Sequence, residues 1–301
     1  MSVSISGRTR LAGIIGWPVA HSLSPAMHNA AYEATGLDWA YVPLPVRDEN
    51  DLARVLGAIR VLPFVGFNVT MPYKRVMIDH CDEVAMLARI AGAVNTVHCV
   101  DGRLIGYNTD GRGLVDSLAA DVGFSPEGRS VVITGAGGAS GAALVAFVLA
   151  KAARVTVLNR TLERAEELVE RVRPHARETE LLAAALDASA REMVYDAALV
   201  VNATSVGMSA GDPSPVPQEW LNSGQVITDM IYRAEPTAFV RAARDAGATV
   251  VDGLGMLVSQ GAMSLEIWNE GAQVTAPRDL MAEAATAAIA EAASRGVEGT
   301  E

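Results

Sequence analysis

The chain has 301 residues, enough to bury a large core and to divide into two domains of ordinary size. Its formal net charge of −11 excludes the basic surface that neutralising nucleic-acid phosphates requires, and no stretch approaches the ~20 uncharged apolar residues of a membrane-spanning helix. Cys81 and Cys99 have neither a CxxC nor a metal-ligand spacing, and Arg8 and Arg10 precede Gly13 without the apolar run of a signal peptide, so a reduced, cytoplasmic protein without a metal centre is expected.

In chain order, Leu11 to Gly16 reads as a short buried strand ending in Trp17-Pro18. Ser24-Pro25 then opens a helix that runs to Gly36, with serine as N-cap, proline at N1 and glycine past the end. A second strand is expected over Tyr41 to Val46, a helix over 49–59 and a third strand over Gly66 to Thr70. Pro72 is expected to begin another helix, with Lys74 in its first turn. Asn95 to Val100 and Arg103 to Tyr107 flank Asp101-Gly102, a strong signal for a two-residue hairpin. The first lobe therefore reads as mixed α/β with an antiparallel element.

Around 111–128 the chain crosses to a second domain. Ser130 to Thr134 is a fresh strand that runs into Gly135-Ala136-Gly137-Gly138-Ala139 and a helix over 140–150. Strands at Arg154 to Leu158, Leu199 to Asn202, Val226 to Met230 and Thr249 to Val251 then alternate with helices over 161–172 and 236–246, which predicts a doubly wound parallel sheet. Residues 174–195 are rich in alanine and glutamate and organise weakly. Helices over roughly 255–271 and 278–294 have no strand left to cover, so they are expected to return to the first lobe, and the tail from Gly296 to Glu301 is expected to fray. The expected domains are 1–110 plus 253–301 and 111–252.

A strand, a glycine turn and a helix make the dinucleotide arrangement. The glycines let the backbone approach a pyrophosphate, and the helix start offers free N–H groups and a positive dipole end. The end of the next strand selects the nicotinamide, because an acidic residue there would hold a ribose 2′-hydroxyl and repel a 2′-phosphate. Asn159-Arg160-Thr161 stands at that point, with Arg164 one turn further. One arginine contact, at roughly 1.5–3 kcal/mol, favours NADP by about tenfold to a hundredfold; a solvated helix-start arginine is the other reading of Arg160. In an acidic chain that handles an anion, local basic residues must overcome a repulsive overall field, which gives Lys74, Arg160 and Arg164 added weight.

Lys74 closes the run Asn68-Val69-Thr70-Met71-Pro72-Tyr73-Lys74, and Asp110 closes Asn108-Thr109-Asp110. A lysine and a carboxylate on consecutive strand ends can pair in a cleft, where the lysine passes a proton to a reacting oxygen; an exposed ion pair is the plainer alternative.

Together these residues resemble the shikimate dehydrogenase family over nearly the whole chain. The likeness rests on Gly16-Trp17-Pro18 through His21-Ser22-Leu23-Ser24-Pro25 and His28-Asn29, on Asn68 to Lys74, and on Asn95-Thr96 with Asn108-Thr109-Asp110. It continues in Gly135 to Ala139 with Asn159-Arg160-Thr161, in Asn202-Ala203-Thr204-Ser205-Val206-Gly207-Met208, in Asp229-Met230-Ile231-Tyr232, and in Asp252-Gly253 through Gln260. The resemblance implies reversible reduction of 3-dehydroshikimate to shikimate with NADPH, a step of aromatic amino-acid biosynthesis; the sequence leaves monomer and homodimer both open. It assigns Lys74 and Asp110 to catalysis, with Asp110 holding the lysine and bonding a neighbouring hydroxyl. It assigns Asn68, Thr70, Asn95 and Gln260 to the substrate, although strand-end or cap roles are the alternative for each. It also carries Thr204 and Gly253 to the cofactor.

Shikimate presents a carboxylate and three hydroxyls, so its pocket needs several short donors and acceptors. Ser22 and Ser24 can meet the carboxylate beside free helix-start amides, and Ser24 can equally cap its helix. Tyr232, beyond a strand end, can reach the substrate or pack as a half-buried aromatic. His21 is read as a loop or rim residue. One departure stands out: the phosphate loop continues Ala139-Ser140-Gly141 where many relatives carry a larger residue. Quinate-oxidising members often have threonine at the second serine position and an acidic residue at the cofactor strand end, so Ser24 and Asn159-Arg160 favour shikimate and NADP. A quinate/shikimate enzyme and a sensor that keeps the fold without turnover remain the alternatives.

Overall fold

The computed structural model describes residues 5–270 and 274–294, and the chain divides into two units, Met1–Thr109 with Val258–Glu301, and Asp110–Leu257. The first unit runs Arg10–Gly16 (β1), Ser24–Thr35 (α1), Trp39–Pro45 (β2), Glu49–Ile59 (α2), Phe64–Val69 (β3), Met77–His80 (α3), Glu83–Val84 (β4), Met86–Ala91 (α4), Thr96–Val100 (β5) and Arg103–Tyr107 (β6). Its six strands lie in the order β2-β1-β3-β5-β6-β4. β1 pairs in parallel with β2 and β3, whereas β5 pairs antiparallel with β3 and β6. The mixed sheet expected of this lobe is thus present. Val100 faces Arg103 across a two-residue loop in which Asp101 and Gly102 take φ of 50° and 76°, the pair of positive φ values that a type I′ hairpin demands.

Val69, Phe67 and Ile15 from the parallel strands pack with Leu52, Leu56 and Ile59 of α2 and with Val97 and Leu104 of the hairpin in one buried cluster. At full burial each such side chain contributes about 1.5–3 kcal/mol.

Two local expectations fail. The N-cap of α1 is Leu23, Ser24 is its first helical residue, and no side-chain cap bond forms; the chain turns in from Ser22, whose hydroxyl accepts the Ser24 amide (3.3 Å). The helix expected from Pro72 starts at Met77 instead. Val94 donates its amide to the Lys74 carbonyl (2.7 Å), and the Ile78 amide that would close a helical turn on that carbonyl goes to Arg75 instead (3.3 Å).

The second unit runs Asp110–Val122 (α5), Ser130–Thr134 (β7), Gly138–Leu149 (α6), Arg154–Asn159 (β8), Leu162–Val172 (α7), Glu180–Ala185 (β9), Arg191–Tyr195 (α8), Leu199–Asn202 (β10), Val226–Asp229 (β11), Ala238–Asp245 (α9) and Thr249–Val251 (β12). The named strands pair in parallel throughout, in the order β12-β11-β10-β7-β8-β9. This is the doubly wound order, with its reversal between β7 and β10. The weakly patterned stretch 174–195 contains β9 and α8. β9 is an alanine-rich edge strand, a composition that favours helix locally, and its register along β8 from Arg154↔Glu180 to Asn159↔Ala185 overrides that preference.

Gly253–Trp268 (α10) and Arg278–Ser294 (α11) close the chain. α11 packs on α1, and the Trp268 indole donates to the Val97 carbonyl (2.8 Å), so the C-terminal helices do return to the first unit. Gly66 makes room for that indole, since a Cβ there would lie 2.1 Å from Trp268 Nε1. The expected end of the first helix at 271 and the tail from Gly296 to Glu301 lie outside the described residues. Among those residues, no helix is long and apolar enough to cross a membrane.

His28, on α1, is fully buried and stacks on Tyr41 at 4.4 Å with 6° between the rings. Neither ring nitrogen has a hydrogen-bond partner, and burial pushes its pKa down from 6.5 to about 3. The unfolded chain therefore takes up a proton that the folded one refuses. This contribution to stability is complete above the unfolded value and declines by about 1.4 kcal/mol per pH unit as pH falls toward 3. In urea unfolding between about pH 6 and about pH 4, His28→Leu is expected to flatten the acid slope by about one proton; an unchanged slope would refute a buried neutral imidazole.

Candidate active site

In the first unit, polar side chains from three strands and the returning helix α10 meet beneath the carboxyl ends of the parallel strands. Asn68, 5% exposed near the end of β3, directs Nδ2 to Ser264 Oγ (2.9 Å), Thr96 Oγ1 (3.1 Å) and the Asn95 carbonyl (3.2 Å). Its Oδ1 accepts from the Tyr41 hydroxyl (2.9 Å). Asn95 Nδ2 donates to Thr109 Oγ1 (2.9 Å) and Gln260 Oε1 (3.3 Å), while its Oδ1 accepts the Thr109 amide (2.8 Å). The sequence-predicted Asn68, Asn95 and Gln260 thus belong to one connected network.

Thr70 follows β3 directly, with its amide on the Ile15 carbonyl (2.8 Å) and its carbonyl accepting the Tyr73 amide (3.0 Å). That turn presents Lys74 half-buried. Ser22 and Ser24 lie in and just past the loop that follows β1, and Ser24 is 3% exposed without spending its hydroxyl on a cap. His21, on the same loop, has its pKa lowered by burial.

In the second unit, Asp110 opens α5 at 4% exposure, one residue past the Thr109 that Asn95 holds. Gly135 follows β7 directly with φ of 101°, and a Cβ on it would lie 3.0 Å from both the Ala203 carbonyl oxygen and Thr204 Cγ2. Gly135 and Thr204 therefore meet at the reversal of strand order, where open α/β sheets bind their ligands. Gly137 is the N-cap of the twelve-residue α6, with open space where a side chain would project. Ala136, Gly138 and Ala139 complete a bare backbone approach to the helix start. At the end of β8, Asn159 Nδ2 donates to the Thr161 carbonyl (2.7 Å). Arg160, Thr161 and Arg164 are exposed, and among the described residues neither arginine forms an ion pair. A glycine cradle before a helix start, with two unpaired guanidinium groups at the neighbouring strand end, fits a phosphorylated dinucleotide.

Tyr232 lies half-buried beyond β11, and Gly253 passes close to the Met230 carbonyl. Both depend on a frame around Asp229, which accepts from Asn202 Nδ2 (2.9 Å), the Ile231 amide (3.1 Å) and Thr237 Oγ1 (2.7 Å). Burial raises the Asp229 pKa, and these three donors oppose the rise. Asn202 Oδ1 in turn receives the Thr204 amide (3.1 Å) and hydroxyl (2.7 Å).

Sequence reasoning missed Tyr41 and Ser264. Ser264 is four residues after Gln260 on α10, so helical spacing from Gln260 was a signal that could have found it. Tyr41 carried none, because its hydroxyl meets Asn68 only through the pairing of β2 with β1 and of β1 with β3.

The family model for the shikimate dehydrogenase substrate binding domain matches residues 14–97, and that for shikimate / quinate 5-dehydrogenase matches residues 117–207. Over 269 residues the chain is 45% identical to the shikimate dehydrogenase (NADP(+)) of Geobacter metallireducens, covering 88% of this chain and 93% of that protein. A solved shikimate dehydrogenase in complex with NADP+ is similar with a TM-score of 0.85 at 34% identity, over 95% of this chain and 98% of the other. The shikimate 5-dehydrogenase of Thermus thermophilus in complex with NADP(H) and shikimate gives a TM-score of 0.81 at 37% identity, over 93% and 99%.

The two glycines of the loop make separable demands. Gly135→Ala is expected to lower the unfolding free energy by about 1–3 kcal/mol through its left-handed backbone and the close Ala203 carbonyl. Gly137→Ala, in extended backbone facing open space, should cost less than about 1 kcal/mol. Chemical denaturation of both variants checks the order, and equal losses would contradict it.

Proposed function

The chain belongs to the shikimate dehydrogenase family, and we propose on that premise that it interconverts 3-dehydroshikimate and shikimate with NADP, using Lys74 as the acid–base group. The observation that carries this reading is the Asn68–Asn95–Gln260 network beside the turn that presents Lys74. It offers a small polyhydroxylated ring short donors and acceptors held on rigid strands.

Asn68 Nδ2 has two hydrogens and three acceptors in reach, so one partner can give way to a ring hydroxyl. Asn95, Thr70 and Gln260 serve the remaining hydroxyls, and Tyr232 is a further substrate residue. Ser22 and Ser24 bind the carboxylate, for which the uncapped Ser24 hydroxyl is free to donate. Lys74 hydrogen-bonds the C3 oxygen, gives it a proton in the reduction and takes the proton back in the oxidation. Asp110 accepts from the neighbouring ring hydroxyl. Gly135 to Ala139 hold the pyrophosphate, Asn159, Arg160, Thr161 and Arg164 the 2′-phosphate side, and Thr204 and Gly253 the rest of the nucleotide. Bound NADPH supplies the hydride that the carbonyl carbon accepts.

We place this activity in the cytoplasm, in a monomer or homodimer. Cys81 and Cys99 are free, and burial pushes both thiols up to about 12, so they act as small core residues.

The reading is tested first by the initial rate of reduced-nicotinamide formation with shikimate, NADP against NAD. A rate strongly favouring NADP is expected, and no rate with either cofactor would refute it. Lys74→Ala should lower kcat by about 10²–10⁴-fold with KM little changed; a KM effect alone would demote Lys74 to a binding residue. Arg160→Ala should cut the preference for NADP over NAD by about tenfold or more, read as the ratio of the two kcat/KM values.

A further inference from the structure

The loop after β2 carries a charge that the chemistry above does not use. The guanidinium carbon of Arg47 lies 4.3 Å from the centre of the Trp17 ring, and Arg47 makes no ion pair among the described residues. Three acidic residues follow it: Asp48 accepts the Asn50 amide (2.9 Å) and side chain (2.7 Å), Asp51 pairs with Arg54 (2.9 Å), and Glu49 opens α2 without an ion pair to Arg47. The indole ring, and not a carboxylate, sets where this cation sits.

Three hydrogen bonds tie together that loop, the end of β1 and the turn carrying Lys74, one of them directly from the turn to the loop. The Val46 amide donates to the Gly16 carbonyl (3.1 Å), the Trp17 amide to the Met71 carbonyl (2.9 Å), and the Tyr73 hydroxyl to the Val46 carbonyl (2.8 Å). Because β2, β1 and β3 are parallel neighbours, the segments bearing Arg47, Trp17 and Lys74 all leave the same carboxyl edge of the sheet.

We propose that Arg47, held over Trp17, draws the substrate's carboxylate to this edge and so sets the affinity for an anionic ring acid. The proposal rests on the reading of the substrate given above. A chain of net charge −11 repels an anion, and a fixed guanidinium beside the Lys74 turn raises the local anion concentration there. Arg47 is a positioning residue that touches no reacting atom, so binding responds to its loss and the chemical step does not.

Steady-state oxidation of shikimate with saturating NADP is to be compared for the native chain, Arg47→Ala, Arg47→Lys and Trp17→Leu, at low salt and at about 0.5 M KCl, where screening acts over only a few ångströms. Arg47→Ala is expected to raise KM for shikimate by about three- to tenfold, with kcat within about twofold of native. Arg47→Lys should recover most of the loss, Trp17→Leu should fall between, and high salt should shrink the gap between native and Arg47→Ala by more than half. An unchanged KM in Arg47→Ala overturns the proposal. So does an Arg47→Lys defect as large as that of Arg47→Ala with a salt-independent gap, since packing on the indole would then account for both. Absence of turnover by the native chain overturns instead the substrate reading beneath it.

Discussion

A buried amide has four hydrogen-bonding positions, and each left empty costs about 1–3 kcal/mol. Asn68 fills both of its N–H positions and one of its two acceptor positions by drawing together Tyr41 from β2, Thr96 from β5 and Ser264 from α10. The rest of the first unit depends on this constraint. α10 must present Ser264 to the strands, the hairpin must hold Thr96 in register with Asn68, and the Trp268 indole must lie in the space that Gly66 leaves for it. Satisfying Asn68 therefore fixes the surface on which Lys74, Thr70 and Gln260 are displayed. A network so cross-linked is also rigid.

The second unit solves a parallel problem with Asp229. Three donors converge on its carboxylate, and through Asn202 they extend to Thr204, so the loop after β10 is shaped from below. Gly135 is then confined by that loop, and its left-handed backbone follows from the lack of room for a side chain. In both units a buried polar group at a strand end sets the loops above it. Parallel strands collect those loops at one edge, where helix starts and unpaired basic side chains can act on anions.

Most regular elements were legible because their signals are local. The Asp101-Gly102 hairpin, the Gly36 helix stop and the strand before Gly135 each follow from backbone preference read over a few residues. Failures occurred where a distant partner decided. Ser24 looks like a cap, yet Leu23 takes that place because of the way the chain enters from Ser22. Pro72 looks like a helix start, yet the Lys74 carbonyl is claimed by the Val94 amide. β9 has a helical composition, and only the open edge of β8 makes it a strand.

The sequence by itself determined the alternation of elements, the doubly wound sheet, the return of the last helices, and the residue types from which a proton donor and a nucleotide loop could be built. These rest on periodicity, turn chemistry and motif spacing, which act over short stretches of chain. Tertiary structure alone decided which polar residues share a network, that Tyr41 and Ser264 belong to it, that Arg47 rests on Trp17, and that Lys74 is displayed from a turn. Those outcomes depend on hydrogen bonds between groups far apart in the chain, and no local preference encodes which donor will meet which acceptor.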